Sequence, residues 1–325
     1  MTNRERFKVI MNFQKPDCIP AIEYAPYWHE TLKVWYTQGL DKNIPAEQLR
    51  TYLGADDMFE YVVLFPRRDD RLDPLDKITD SISYDMLMPI LYPDDVIQSG
   101  KEAQMRLAQE QKQGDKAAGI VLFGFFWWPR ELFGMEEFLY KLYEDPGLIL
   151  RINSDLLKHN LRAVHIQAEI YQPDFYIVSE DMCYKHGTLI SRDMFNQFML
   201  PFYKELIPEL KQNGATVLMD TDGFFEPMLD WIVEAGFDGV SPVERNAGND
   251  LYRIREAYPD IKMIGGVNKM ELCKGETAIK RELDSLIPVI RSGGYLPSCD
   301  HQTPPGVCLE DYKLYMKMLR RICQG

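Results

Sequence analysis

From residue 168 onward, apolar runs of a few residues alternate with longer stretches in which apolar positions recur every three or four residues. The short runs lack apolar–polar alternation, as strands buried on both faces do; the longer ones have helical period. "DFYIVSED" (174–181), "ATVLMDTDG" (215–223), "FDGVSPVE" (237–244), "IKMIGGVNK" (261–269) and "YLPSCDH" (295–301) are the predicted strands. Helices are predicted at 191–214, with Ser191 as N-cap and Gly214 as stop, and at 225–236, 250–260, 275–294 and 308–324. Repeated strand–helix units imply a parallel sheet with right-handed crossovers, either open and doubly wound or closed into a barrel. The N-terminal half adds "CIPAIEYA" (18–25), "MFEYVVLF" (58–65) and "GIVLFGFF" (119–126), which brings the strand count to eight. Eight strands favour an α/β fold of the (β/α)8 TIM type, one barrel domain over 1–325. The stretch 67–99, rich in prolines and acids, reads as an inserted excursion with a hairpin.

Composition narrows the partners. The formal net charge of the 325 residues is -13, and no block of lysine and arginine is present to neutralise phosphates. Nucleic acid and anionic membrane surfaces are therefore not expected partners. The longest uncharged run, 117–129, is too short to span a bilayer, and the charged N-terminus does not read as a secretion signal. Six cysteines at 18, 183, 273, 299, 308 and 323 form no CxxC pair, which suits reduced thiols in a cytoplasmic protein.

The candidate chemistry follows the apolar runs. In a barrel of this type, the C-terminal strand ends carry the site. Those ends hold Glu180 and Asp181, with His186 further on; then Asp220 and Asp222; then Glu244; then Asn268 and Lys269; and finally Cys299, Asp300 and His301. Glu180, Asp220, Asp222, Glu244 and His301 are the candidate catalytic set, since a histidine beside carboxylates can hold a proton near neutrality. Each has a structural alternative. The aspartates suit helix N-caps, Glu180 a solvated loop, Lys269 a free surface position, and Cys299 a small buried residue. Asp222, Glu244, Cys299 and His301 also have the donor chemistry of a divalent metal site. Tyr24, Tyr27, His29, Trp127, Trp128 and Phe224 lie just after strands and suit either core packing or an apolar wall around a small-molecule substrate. His186 and Lys269 are placed with that substrate-binding set.

With those residues in hand, the chain resembles the uroporphyrinogen decarboxylase superfamily. The resemblance runs through "NRERFKVIMNFQKPDCIPAIEY", "SEDMCYKHGTLISRDMFNQFMLPFYKEL", "MDTDGFFEPMLDWIVEAGFDGVSPVE", "GGVNK" and "GGYLPSCDHQTPPGVCLEDYKLYM". It implies a (β/α)8 barrel with the site in its mouth. It also implies one of two activities: porphyrinogen decarboxylation, or methyl transfer with corrinoid proteins and thiol acceptors. The decarboxylase branch implies arginines in the stretch that is here "EYAPYWHETLKVW", which has none. A polycarboxylate substrate needs such clamps. The methyltransferase branch implies zinc held by a His-x-Cys pair and a later cysteine. Here the pair falls on Asp220 and Asp222, while Cys299 matches the cysteine. The expectation is a methyltransferase that moves a methyl group from a small methylated substrate to a corrinoid carried by a partner protein, or to a thiol. Zinc or another divalent metal is its possible cofactor. The alternatives are decarboxylation of a porphyrinogen or other acid, and ligand binding without catalysis.

Overall fold

A computed structural model describes residues 1–66 and 78–324. Seven of the eight predicted strands form: β1 (Phe59–Val63), β2 (Ala117–Phe123), β3 (Phe175–Ser179) and, after a short hairpin of β4 (Cys183–Tyr184) and β5 (Gly187–Thr188), β6 (Thr216–Asp220), β7 (Gly239–Val243), β8 (Lys262–Val267) and β9 (Tyr295–Cys299). The seven pair in parallel in the order β1-β2-β3-β6-β7-β8-β9. Phe123 lies opposite Ser179, Ser179 opposite Asp220, and Asp220 opposite Ser241, so β2, β3 and β6 end level and β7 runs two residues further. Every residue of β3, β7 and β9 is buried, which explains their unbroken apolar character.

The sheet curls into a half-barrel. Its concave side gathers Ala117, Phe175, Ile177, Leu218, Ile264 and Leu296 into one apolar cluster. Phe7, Ile10 and Met11 of the helix Asn3–Met11 belong to the same cluster and plug one end of the curl. A second, larger cluster lies between the convex face and the surrounding helices. Strand period two separates the clusters: Leu296 points inward, while Tyr295 and Cys299 point outward.

The predicted first strand, 18–25, is not a strand among the described residues. Pro20 and Pro26 supply no N–H, and two of the N–H groups between them go to side chains. Ala21 N–H donates to Asp56 Oδ2 (2.8 Å) and Tyr24 N–H to Ser298 Oγ (2.8 Å). The segment still bridges the two sheet edges, since Ser298 is on β9 and Asp56 leads into β1. Of the expected excursion at 67–99, residues 67–77 lie outside the described residues. The rest is helical rather than a β-hairpin, with helices Ser81–Leu91 and Asp94–Gln113. The predicted helix 191–214 divides at Met199 into Arg192–Phe198 and Leu200–Lys211.

Candidate functional site

The residues after β3, β6, β7, β8 and β9 meet on one rim. His301 Nε2 lies 3.4 Å from Asp222 Oδ2. Asp222 N–H donates to Asp181 Oδ1 (3.1 Å), and Gly223 N–H donates to Glu244 Oε2 (3.1 Å). Lys269 Nζ bonds Glu244 Oε1 at 3.1 Å and lies 3.7 Å from Asp300 Oδ1. Side chains up to 120 positions apart therefore form one connected polar arc. Glycine is required at 223, where φ is +82° and a Cβ would come within 2.8 Å of the Cys183 and Tyr184 backbone. Asp181 also takes a positive φ, +49°, which aspartate tolerates.

Neither Asp220 nor Asp222 caps a helix. The next turn, Glu226–Met228, has its first N–H groups bonded by Asn249 Oδ1. Asp220 instead accepts from Ser179 Oγ (3.2 Å) and lines a partly open cavity of about 230 Å³. Burial, with Asp181 and Asp222 beside it, pushes its carboxyl up to about 8. His301 is raised as well, chiefly by its bond to Asp222. Below the rim the cavity walls are mostly apolar, including Phe59, Val121, Phe175 and Ile177, with Tyr24 near Asp220. Asp220 thus joins the polar rim to an apolar interior.

Other expected residues take structural posts. Glu180 is fully buried and accepts the N–H groups of Phe125 (2.7 Å), Phe126 (2.8 Å) and Trp127 (2.9 Å). It holds the start of the helix Trp127–Phe133, and burial raises its carboxyl to about 8 against those three donors. Gly124 leaves it room, since a Cβ there would sit 1.8 Å from Glu180 Oε1. Trp128 is core, its indole donating to Tyr92 Oη (2.7 Å). Trp127 is half-buried under Arg130, which stands 4.0 Å from the ring centre. Tyr27 bonds Tyr312 behind the cavity wall. Phe224 is half-buried against Gly248. His29 is exposed at the start of the helix His29–Thr37, and His186 is exposed beside Tyr184 at the β4–β5 turn.

The expected metal donors do not converge. Cys299 faces outward into the core, its Sγ beside Thr303 Oγ1 at 3.7 Å, and burial raises its thiol well above the usual range. Glu244 is occupied by Lys269. Among the described residues, no group of three His, Cys, Asp or Glu side chains is placed to hold an ion.

Four residues of consequence carry no strand-end signal. Glu23, in the segment 18–25, is buried and accepts from Ser298 Oγ (2.9 Å) and Tyr312 Oη (2.8 Å); burial lifts its carboxyl to about 7. Arg50 reaches the cavity from the helix Ala46–Tyr52. Arg130 lies 3.6 Å from Asp181. Ser241 is fully buried, and its Oγ makes no hydrogen bond of good geometry.

No helix among the described residues is long and apolar enough to cross a membrane. No curated protein matches the chain. Among solved structures, a methyltransferase from Methanosarcina mazei is similar with a TM-score of 0.68 at 15% identity, over 99% of both chains. A family model described as uroporphyrinogen decarboxylase (URO-D) matches residues 131–322. That span is more than half of the sequence and carries every strand from β3 to β9 with the rim side chains after them, so the chain belongs to the uroporphyrinogen decarboxylase family.

Proposed function

We propose that this chain is a methyltransferase that takes a methyl group from a small substrate in the cavity. The acceptor is a corrinoid carried by a partner protein, or a thiol. The observation that carries this choice over porphyrinogen decarboxylation is the charge of the cavity. Glu23, Asp56, Asp57 and Asp220 line it with Arg50 as the single cation among the described residues. A polycarboxylate would find one cation, Arg50, for its several carboxylates, beside acids that are already paired or pushed up by burial. The similarity to a methyltransferase over nearly the full chain supports the same choice. We further take residues 19–25 to close the barrel in place of an eighth strand, so that the whole chain is one unit around the cavity.

The corrinoid or thiol supplies the nucleophile that receives the methyl group. The chain's own residues do the rest. The apolar walls exclude water and fix the substrate near Asp220. The His301–Asp222 pair stands beside Asp220, where a proton on His301 can meet a departing oxygen or nitrogen. Lys269 holds Glu244, and Glu244 in turn fixes the Gly223 turn on which Asp222 is carried. No step is assigned to a metal, because the donors do not meet.

The test is incubation of the purified protein with a reduced corrinoid acceptor and a panel of methylated donors, followed by the corrinoid's visible spectrum. Methylation with at least one donor is expected. Carbon dioxide release from a carboxylated substrate, with no corrinoid methylation, would overturn the proposal.

A further inference from the structure

Five charged side chains line the cavity, and three of them are already satisfied. Glu23 accepts from Tyr312 and Ser298. Asp56 accepts from Ala21 N–H and pairs with Arg320 at 2.9 Å. Asp57 pairs with Lys116 at 2.7 Å. The other two are under-satisfied. Arg50 has a buried Nε with no partner, and its Nη2 makes one long contact, 3.4 Å, to the Tyr24 carbonyl. Asp220 has the Ser179 hydroxyl as its hydrogen-bond donor, with Asp181 and Asp222 as like-charged neighbours.

Ser241 adds a hydroxyl beside Asp220 on the same wall. It pairs in register with Asp220, and paired residues of parallel strands point to the same face. Its hydroxyl is fully buried and makes no hydrogen bond of good geometry, with the Tyr24 hydroxyl as its polar neighbour. Buried polar groups are nearly always hydrogen-bonded, and leaving one unmade costs roughly 1–3 kcal/mol. No ion pair joins Arg50 to Asp220 among the described residues. Tyr24, Phe59 and Phe175 line the same space. The cavity therefore offers a carboxyl at Asp220 that a bound cation would hold ionised, a guanidinium at Arg50 with Glu23 as its charge neighbour, and an aromatic waist.

We propose, building on the methyltransferase reading, that the cavity takes a small zwitterion: a methylated ammonium beside Asp220, joined by a short linker to a carboxylate on Arg50. Methylated ammonium groups suit aromatic faces backed by a carboxylate. Arg50's free donors suit a carboxylate. The space of about 230 Å³ holds a compact molecule of this kind. Transfer from such a donor balances simply. The carbon–nitrogen bond breaks with its electron pair staying on nitrogen, the methyl group bonds to the reduced corrinoid, and a neutral amine leaves without needing a proton.

The experiment is titration calorimetry with three probes and no acceptor present: glycine betaine, its carbon isostere 3,3-dimethylbutanoate, and tetramethylammonium. Betaine is expected to bind at least tenfold tighter than either of the others. Asp220→Asn should remove its advantage over dimethylbutanoate, and Arg50→Gln its advantage over tetramethylammonium. Thermal unfolding confirms that each variant is folded, and the ranking on the unaltered protein stands as a test without them. Dimethylbutanoate binding as tightly as betaine, or no betaine binding at millimolar concentration, overturns the proposal. The two proposals fail separately. Betaine binding with this ranking but no corrinoid methylation from any donor removes the methyltransferase reading and leaves the ligand class. Methylation from a neutral donor without betaine binding does the reverse.

Discussion

Glu180 and Asp300 stand on the same rim as Asp220 and Asp222, yet the two pairs have opposite surroundings. Glu180 is ringed by three backbone N–H groups. Asp300 accepts the N–H groups of Arg245 (3.1 Å) and Lys269 (3.2 Å). Both are fully buried. Asp220 has a single hydroxyl donor, and Asp222 is more than a third exposed beside His301. A carboxylate that collects backbone donors holds loops in place. One left short of donors and facing a cavity is poised to meet a ligand. Residue type and strand-end position do not tell these apart; hydrogen-bond partners do.

Four substitutions sharpen the contrast. The largest expected effect is Glu180→Gln. An amide matches at most part of the three-donor cradle and brings its own N–H against it, so the expected loss is about 3 kcal/mol. Thermal unfolding should show a drop of about 5 °C or more. Next is Asp220→Asn, expected to lower methyl transfer by roughly 10²-fold. Its melting temperature should stay level or rise, because a like-charged neighbour of Asp181 and Asp222 is removed. A melting temperature as low as that of Glu180→Gln would erase the contrast.

Asp300→Asn should fall between structure and function, with a loss of about 2 kcal/mol from its buried bonds. It should also loosen Lys269 and Glu244, seen as weaker substrate binding with turnover retained. The smallest effect is His301→Gln, about 0.5 kcal/mol, since the pair is partly exposed and screened. Its sign with pH is definite. His301 is raised by Asp222, so its contribution is full below the unfolded histidine value near 6.5 and fades as pH rises through the higher folded value. Unfolding of the parent and the variant in urea should therefore diverge at pH 6 and converge at pH 9.

Much of this contrast was hidden in the sequence for physical reasons. Apolar runs located seven strands, and the polar residues after them gave Asp220, Asp222, Glu244, Lys269 and His301, which do share a rim. The eighth run failed because Pro20 and Pro26 break a ladder that its valine-like pattern suggested. Cys299 was misplaced by its neighbours: "CDH" reads as one cluster, but strand alternation sends Cys299 into the outer core and leaves Asp300 and His301 to the loop. His29 and His186 have suitable chemistry, but a helix start and a hairpin tip put them in solvent. Glu23 sits inside an apolar run and Arg50 on a short helix. Their meeting at the cavity depends on tertiary packing, which carries no local periodic signal.

The most direct measurement is the initial rate of corrinoid methylation by Asp220→Asn and Glu180→Gln, compared well below both melting temperatures. The predicted result is a folded but nearly inactive Asp220→Asn beside a less stable Glu180→Gln that keeps most of its rate. An Asp220→Asn protein that methylates as fast as the parent would contradict the assignment of this cavity as the reacting site.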